Sequence, residues 1–273
     1  MKTVVFLLFI LGIVDLAFSF QLDFPLIPDD IHWAGKTCAY ELKPTPEQRL
    51  KWRTFDIRNS DDLTKCYVKC VLKYTSLYDP TTKIISRKAM KSQFIGRGLK
   101  DPSNLELLDG PTNGTCEDVF GKLEPFAIAN MANFKKAFWV YPDGGDAKKW
   151  YEDNRGRVKE FGEKASDFCS KKYINKNCKK VDCAYQHYRL VDSAHRIITE
   201  RNWNVYKINQ DNLKKCQEEA AKIDQGSKKC MYAETLKKCM EKENKEEWEQ
   251  FVKFLDDVSA SYEYPEDPET STG

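Results

Sequence analysis

Ten cysteines constrain this chain of 273 residues more than any other residue type. All of them follow an apolar N-terminal segment, and an even number of cysteines in an exported chain predicts that they pair as disulfides. The stretch CYVKC places Cys66 and Cys70 on one face of a helix. A straight helix does not bring two such side chains into bonding geometry. Each cysteine is therefore expected to reach a different element, and this half of the chain offers Cys38 and Cys116.

The N-terminus predicts export. Lys2 precedes an almost unbroken apolar run over 4–14, and Ala17-Phe18-Ser19 has the pattern of a cleavage site. The run is too short to span a bilayer, and Asp15 follows it directly. Residues 1–19 are therefore predicted to be a secretory signal peptide. No later segment approaches the length of a membrane span, so we expect a soluble mature protein without a membrane partner.

Periodicity predicts an all-α fold. Thr45, Asp61 or Asp62, and Ser86 stand where N-caps are expected, each before apolar residues at three- and four-residue intervals. Further helices are predicted over 116–123 and 132–140. In the second half we expect one helix from Trp150 to Phe168, and others over 181–198, 211–222, 229–240 and 246–258. Strand signals, such as alternating β-branched runs ended by Asn-Gly turns, are missing.

The stretch YPDGGD, residues 141–146, is the strongest break in the middle of the chain. We therefore predict one domain over 20–143 and a second over 144–260. The tail, residues 261–273, is rich in Pro, acids and Ser/Thr, which predicts disorder.

Composition and motifs argue against several classes of function. The net charge of +2 gives no reason to expect nucleic-acid binding. With three histidines and oxidised thiols, neither a metal site nor a cofactor is expected. The chain lacks adjacent cysteines, G-x-S-x-G and H-E-x-x-H, which argues against a phospholipase A2 and against other hydrolases. Asn113-Gly114-Thr115 is a glycosylation sequon that the secretory route makes usable.

The cysteine spacing resembles that of a known superfamily. Cys38, then Cys66-x3-Cys70 and a later Cys116 resemble the insect odorant-binding proteins. In the second half, Cys230-x8-Cys239 resembles that family's last two cysteines. Two such domains in tandem behind a signal peptide resemble the long-form D7 salivary proteins of blood-feeding flies.

A local motif strengthens the resemblance to the salivary family. Trp52 is followed by Phe55, then by Tyr67-x-Lys69-Cys70, Gln93 and Cys116-x2-Val119. The pattern departs from the family in having Phe55 where a second Trp is usual and Lys65 where Ser or Thr is usual.

The resemblance also implies a disulfide pairing. In the first half it implies Cys38–Cys70 and Cys66–Cys116, and in the second half Cys183–Cys230 and Cys216–Cys239. On this interpretation the stretch CAYQH, residues 183–187, has His187 in the place of a cysteine. Cys169 and Cys178 are then left over and are expected to pair with each other.

Ligands, too, are implied by the resemblance: host eicosanoids in the first domain, namely cysteinyl leukotrienes or thromboxane A2. Large apolar residues would line the lipid site, although core packing is the more common role for any single one of them. The residues expected to contact the lipid are Trp52, Phe55, Val71, Tyr74, Phe94, Phe126 and Phe134, with Lys164 as a cation near the mouth.

For the second domain, the resemblance implies biogenic amines such as serotonin or histamine as a further candidate ligand class. Tyr185, Tyr188 and Asp256 could supply rings and a carboxylate for an ammonium. The expected protein is thus a monomeric scavenger secreted in saliva, without catalytic activity. An odorant or pheromone carrier, or an inhibitor that binds a host plasma protein, remains an alternative.

Overall fold

The computed structural model describes most of the chain that follows the predicted signal peptide. It covers residues 21–53, 61–138, 145–160, 162–199, 208–223 and 228–261, without the side chains at 53, 145–148 and 261. Phe55 lies outside the described residues, as do the predicted signal peptide and the tail after 261.

In the described part of the first half, helices are joined by loops and one very short β-ladder, in which Tyr78 pairs with Ile85. A 3-10 turn covers Leu105–Leu108. The elements are α1 (Pro28–Leu42), α2 (Pro46–Arg53), α3 (Asp62–Tyr74), β1 (Tyr78–Asp79), β2 (Ile84–Ile85), α4 (Arg87–Gly96), α5 (Cys116–Ala129) and α6 (Met131–Phe138).

The described part of the second half contains helices without a paired strand. They are α7 (Gly145–Asp153), α8 (Ala165–Lys172), α9 (Asn177–His187), α10 (Gln210–Ala221) and α11 (Met231–Ser261). Helix α11 is kinked at Asn244, whose φ of −159° and ψ of 94° are not helical. None of the helices in the described ranges is both long enough and apolar enough to cross a membrane.

The predicted residues cap the N-termini of three helices in the first half. Asp61 accepts a hydrogen bond from Thr64 N at 2.8 Å, and Ser86 accepts one from Ala89 N at 3.2 Å. At α2, Gln48 N donates to Thr45 Oγ1 while Thr45 N donates to Gln48 Oε1. Such contacts satisfy N–H groups that the helix itself leaves unpaired. The capping predictions are confirmed, and with them the all-α fold.

Two predicted helices of the second half are wrong. The helix predicted over 181–198 ends at His187, because Arg189 and His195 have φ of 61° and 67°. These left-handed conformations are incompatible with a continuing right-handed helix. The helix predicted from Trp150 to Phe168 is two helices, α7 and α8. Gly156 and Gly162, with φ of 75° and 80°, lie between them.

Each half has its own hydrophobic core. The second core is built from residues between Ala165 and Leu255, whereas the first-half clusters use residues between Leu22 and Phe138. This separation gives two helical domains in tandem. The predicted boundary at 143–144 falls outside the described residues and stays a prediction. Helix α7 packs on the first domain, because Tyr151 Oη donates to Asp29 at 3.2 Å and Trp150 lies under the Arg97 guanidinium.

Five disulfides tie the helices together, and three of the predicted pairs are confirmed. Cys38–Cys70 joins α1 to α3, and Cys66–Cys116 joins α3 to α5. The CYVKC helix is thus bonded to two neighbours, as predicted. In the second domain, Cys216–Cys239 joins α10 to α11.

The other two predicted pairs, Cys183–Cys230 and Cys169–Cys178, are wrong. The bonds are Cys169–Cys183 and Cys178–Cys230. The error arose because Cys178 lies inside α9, on the same helix as Cys183. The counterpart of CYVKC is therefore CKKVDC, residues 178–183, and not CAYQH. His187 lies one turn beyond Cys183 and does not replace a cysteine.

Candidate ligand-binding regions

Helix α3 separates the predicted lipid-contact residues into two groups. Val68 and Leu72 on one face belong to the large core of the first domain. Val71 and Tyr74 on the other face pack toward α1. The residues predicted to line one site therefore lie in two clusters on different faces of this helix.

The first group is a cluster of four rings, Phe94, Phe126, Phe134 and Phe138, which we call the phenylalanine cluster. It joins α4, α5 and α6, with ring centroids 4.7 Å apart for Phe134–Phe138 and 6.1 to 6.4 Å apart for the other contacts. Phe94 is fully buried and touches the other three rings. The structure thus brings together three of the predicted residues, Phe94, Phe126 and Phe134.

Gln93 supports this cluster from the adjacent position on α4. Its side chain is fully buried, and its carbonyl oxygen accepts a hydrogen bond from Leu26 N at 2.6 Å. Its amide nitrogen donates to Ala137 O at 2.7 Å. Gln93 therefore links the segment before α1 to the end of α6. Both polar atoms of its amide are hydrogen-bonded to backbone groups. Gln93 therefore brings no unpaired polar atom next to the phenylalanine cluster.

The second group is an aromatic cluster of Trp33, Trp52, Tyr67 and Tyr74. Trp52 stacks on Tyr67 with centroids 3.9 Å apart, and its indole N–H donates to Thr64 Oγ1 at 2.9 Å. Trp33 meets Tyr74 edge-on, and Tyr74 Oη donates to Glu41 at 2.6 Å. Trp52 and Tyr74 were predicted as lipid contacts together with the phenylalanines, and Trp33 was missed because helix α1 was not predicted.

Lys164 lies at the N-cap of α8, in the second domain. Its ammonium forms an ion pair with Asp257 at 2.6 Å, and this partner raises the pKa of Lys164. Both side chains are about half exposed, so the pair is a weak one. Its place at a lipid-binding mouth stays a prediction.

The residues predicted to bind an amine do lie together. The rings of Tyr185 and Tyr188 are 6.1 Å apart, and Tyr188 Oη donates to Asp256 Oδ1 at 2.7 Å. Asp256 also accepts hydrogen bonds from Ser166 N and Ser166 Oγ at the start of α8. Burial and the neighbouring Asp256 carboxylate both raise the pKa of Tyr188. Both carboxylate oxygens of Asp256 are therefore already occupied by groups of this chain.

One group of metal-ligating residue types occurs among the described residues, namely Cys169, Cys183 and His187. The two sulfurs are bonded to each other, so neither is a thiolate that could bind a metal. The His187 ring packs edge-on against Phe168, and burial lowers its pKa well below the ordinary value. The disulfide and the His187 ring are therefore structural parts of the second core. Elsewhere, Asn113 of the sequon is exposed, and its glycosylation stays a prediction.

Solved structures of related fold match both domains. A D7 protein from Phlebotomus duboscqi is 29% identical, with a TM-score of 0.68, and the match covers 88% of this chain and 99% of that one. The AeD7–leukotriene E4 complex has a TM-score of 0.70 at 19% identity, covering 87% and 91%. The AnSt-D7L1–U46619 complex has a TM-score of 0.69 at 19% identity, and the match covers 89% of this chain and 92% of that one. At such identity the last two show the fold alone.

Sequence comparison identifies the family as well as the fold. Residues 27–101 match the PBP/GOBP family. The long form salivary protein D7L of Phlebotomus duboscqi is 31% identical over 265 residues, covering 96% of this chain and 100% of the relative. The long form salivary protein D7LC of Phlebotomus papatasi is 31% identical over 264 residues, covering 95% of this chain and 99% of the relative. With both odorant-binding-like domains and all but a few residues of its length matched, this chain belongs to the family of long-form D7 salivary proteins.

Proposed function

We propose that this protein is a secreted salivary scavenger that sequesters host eicosanoids, cysteinyl leukotrienes and thromboxane A2, in its first domain. Sequestering these mediators would oppose vasoconstriction, platelet aggregation and inflammation during blood feeding. The action is stoichiometric binding and not catalysis.

The observation that carries the proposal is the phenylalanine cluster. Four rings from three helices form one apolar region, and the polar atoms of the adjacent Gln93 amide are bonded to backbone groups. A lipid chain needs such a surrounding, because any unpaired buried polar group would oppose its binding. Phe138 is only partly buried, so its ring is the part of the cluster that could move for a ligand.

The solved relatives support the same ligand class. One of them was obtained with leukotriene E4 and another with U46619, a thromboxane analogue. Both share the two-domain fold of this chain. Their ligands indicate what this fold accommodates, and the identities of about 19% leave the preferred eicosanoid of this chain to experiment.

The energetics of lipid burial are adequate. About ten buried methylenes at about 0.8 kcal/mol each would contribute about 8 kcal/mol before ordering costs. Nanomolar binding requires about 12 kcal/mol, so polar contacts at the other end of the ligand must supply the rest. Lys164 is the proposed cation for a carboxylate, and binding would then exchange its exposed pair with Asp257 for the ligand.

Biogenic amines are a second candidate ligand class, because Tyr185, Tyr188 and Asp256 do meet in the second domain. An ammonium would have to displace the Tyr188 hydroxyl from Asp256. This requirement makes amine binding weaker than a preformed site would give.

The test of the lipid site compares two substitutions that each add an aromatic ring. Ala137→Phe adds the ring at a fully buried position beside the phenylalanine cluster, whereas Ile95→Phe adds it at an exposed position on α4. Isothermal titration should show leukotriene C4 binding to the wild type and to Ile95→Phe. Ala137→Phe should bind at least about 100-fold more weakly, which corresponds to about 2.7 kcal/mol.

Folding of Ala137→Phe is checked by thermal unfolding, because overpacking a core costs about 1–3 kcal/mol. If it does not fold, Ala137→Leu replaces it. A folded Ala137 variant that binds leukotriene C4 as the wild type does would place the lipid outside the phenylalanine cluster. Binding lost instead in Trp52→Ala would place it at the aromatic cluster.

A further inference from the structure

A dense group of lysines lies at the corner between α8 and α9. The stretch KKYINKNCKK, residues 171–180, contains five lysines without an acidic residue. The whole chain has a net charge of only +2, so positive charge is concentrated here and is not a property of the entire surface. Such a local concentration is the electrostatic mark of an anionic partner.

The fold adds two more lysines to this corner. The Cys178–Cys230 disulfide holds the two Cα atoms 5.5 Å apart, which brings Lys228 and Lys229 beside the start of α9. The Cα atoms of Lys179 and Lys229, each next to a bonded cysteine, are then within about 13 Å of each other. We call this group the lysine corner. Its members are Lys171, Lys172, Lys176, Lys179, Lys180, Lys228 and Lys229.

Most of these charges have no acidic partner. Lys171 pairs with Glu163, and Lys172 lies over the Phe168 ring. Within the described part of the chain, no carboxylate lies within salt-bridge distance of the remaining five lysines. The nearest exposed acid on α8 is Asp167, one turn before Lys171.

The arrangement is unfavourable for the isolated protein. Lys176, Lys179 and Lys180 occupy the N-cap and the first turn of α9, where the helix dipole favours negative charge. Spacings of three and four residues also place these like charges side by side. Lys176 makes no capping hydrogen bond either. An anionic surface against the lysine corner would remove all three of these costs.

An apolar residue protrudes from the middle of the lysine corner. Ile174 is 69% exposed, the highest value for any large hydrophobic residue in the described ranges. It lies in the tight turn between the two helices, where Lys176 N donates to Tyr173 O and Asn175 has a φ of 58°. A soluble polyanion offers nothing for this side chain to bury against, whereas a lipid surface offers both anionic headgroups and an apolar interior.

We infer that the lysine corner is a peripheral docking surface for anionic phospholipid membranes, with Ile174 inserted at the level of the headgroups. Attachment of this kind needs no spanning segment. It revises the expectation that the protein has no membrane partner, and it does not depend on the proposed eicosanoid site. Its effect would be to concentrate the protein at membranes that expose anionic lipid.

The test is co-sedimentation of the full chain with phosphatidylcholine vesicles that contain or lack phosphatidylserine. Binding is expected only with phosphatidylserine and should weaken as salt is added. The triple variant K176Q/K179Q/K180Q should bind about 100-fold more weakly, since each lysine near an anionic surface contributes about fivefold. Ile174→Ser should weaken binding about tenfold.

Two controls remove equivalent groups elsewhere. The triple variant K237Q/K238Q/K245Q changes the net charge equally, and each of these lysines pairs with a glutamate on α11. Ile128→Ser removes an isoleucine that is 52% exposed on α5. Both controls should bind vesicles as the wild type does.

Three results would overturn the inference. The first is no binding to phosphatidylserine vesicles. The second is equal weakening in the lysine control, which would indicate a diffuse charge effect. The third is binding to heparin and to vesicles alike with no change in Ile174→Ser, which would make the partner a soluble polyanion.

Discussion

The Lys159 ammonium lies 2.9 Å from the Asp29 carboxylate, and this ion pair joins the two domains inside the protein. Lys159 is fully buried, and its ammonium also donates to the carbonyl oxygens of Glu163 and Ser259. A second buried pair, Asp30–Arg189, lies next to it. The domains are therefore held by charges that have partners only while the domains remain docked.

Removing one member of the Lys159–Asp29 pair should destabilise the protein strongly. Lys159→Met leaves Asp29 buried without its counterion, which costs about 3–5 kcal/mol when a buried pair is broken. Urea unfolding followed by circular dichroism measures the change in the free energy of unfolding.

The double variant D29L/K159M is the control for the loss of the ion pair. It removes both charges, so it should be more stable than Lys159→Met alone. If Lys159→Met unfolds at the same urea concentration as the wild type, the pair does not hold the domains together.

His187 should make stability depend on pH. Burial, followed by the positive charges of Arg189 and Lys159, lowers the pKa of His187 well below its ordinary value near 6.5. As the pH falls below about 6.5, the unfolded chain takes up a proton that the folded protein does not. The free energy of unfolding therefore falls by up to about 1.4 kcal/mol per pH unit from this group, until the lowered pKa is reached.

Replacing His187 by Leu should remove this contribution. Below about pH 6.5 the slope of the free energy of unfolding against pH should fall by up to about 1.4 kcal/mol per pH unit, the effect of one proton. Unfolding by urea at several pH values measures both slopes, and the comparison does not require the two proteins to be equally stable. The His195–Asp182 pair, at 2.7 Å, is present in both proteins and contributes equally to each. Parallel slopes would mean that the pKa of His187 is the same in the folded and the unfolded protein.

The two corrected disulfides should be visible chemically. Digestion without reduction, followed by mass spectrometry, should release peptides that link Cys169 to Cys183 and Cys178 to Cys230. Deleting the Cys178–Cys230 bridge should cost about 4 kcal/mol and deleting Cys169–Cys183 about 3 kcal/mol, because the first closes the longer loop. Peptides linking Cys183 to Cys230 would contradict the structure.

Tyr188→Phe tests the second domain. The substitution removes the hydroxyl that donates to Asp256 Oδ1, a hydrogen bond to a carboxylate worth about 1.5–3 kcal/mol. The variant should be less stable by that amount. If Asp256 is the partner of an amine, the variant should also bind serotonin more tightly than the wild type does in titration calorimetry. Unchanged serotonin affinity would mean that Asp256 only caps α8.

Much of the fold could be predicted because local signals determine it. Asp61 and Ser86 cap helices where polar residues precede apolar periodicity, and the Cys66–Cys70 spacing does tie one helix to two others. These features depend on residues close together in the chain. The family's pairing order also held for the first domain.

What could not be predicted depends on long-range contacts. The helix predicted over 181–198 began after Cys178, so CAYQH and not CKKVDC was matched to CYVKC, and that mismatch changed two disulfides. Lys159 resembles any surface lysine in sequence, and only the docking of the two domains buries it. The predicted lipid residues divided between two clusters because sequence gives the faces of α3 without the neighbours that each face meets.

The most direct measurement is isothermal titration of the full mature protein with leukotriene C4. We predict one lipid bound per chain with submicromolar affinity, because the phenylalanine cluster of the first domain is the proposed site. Absence of binding to leukotriene C4, and then to a thromboxane A2 mimic, would contradict the eicosanoid scavenger and favour an odorant carrier or a protein that binds a host plasma component.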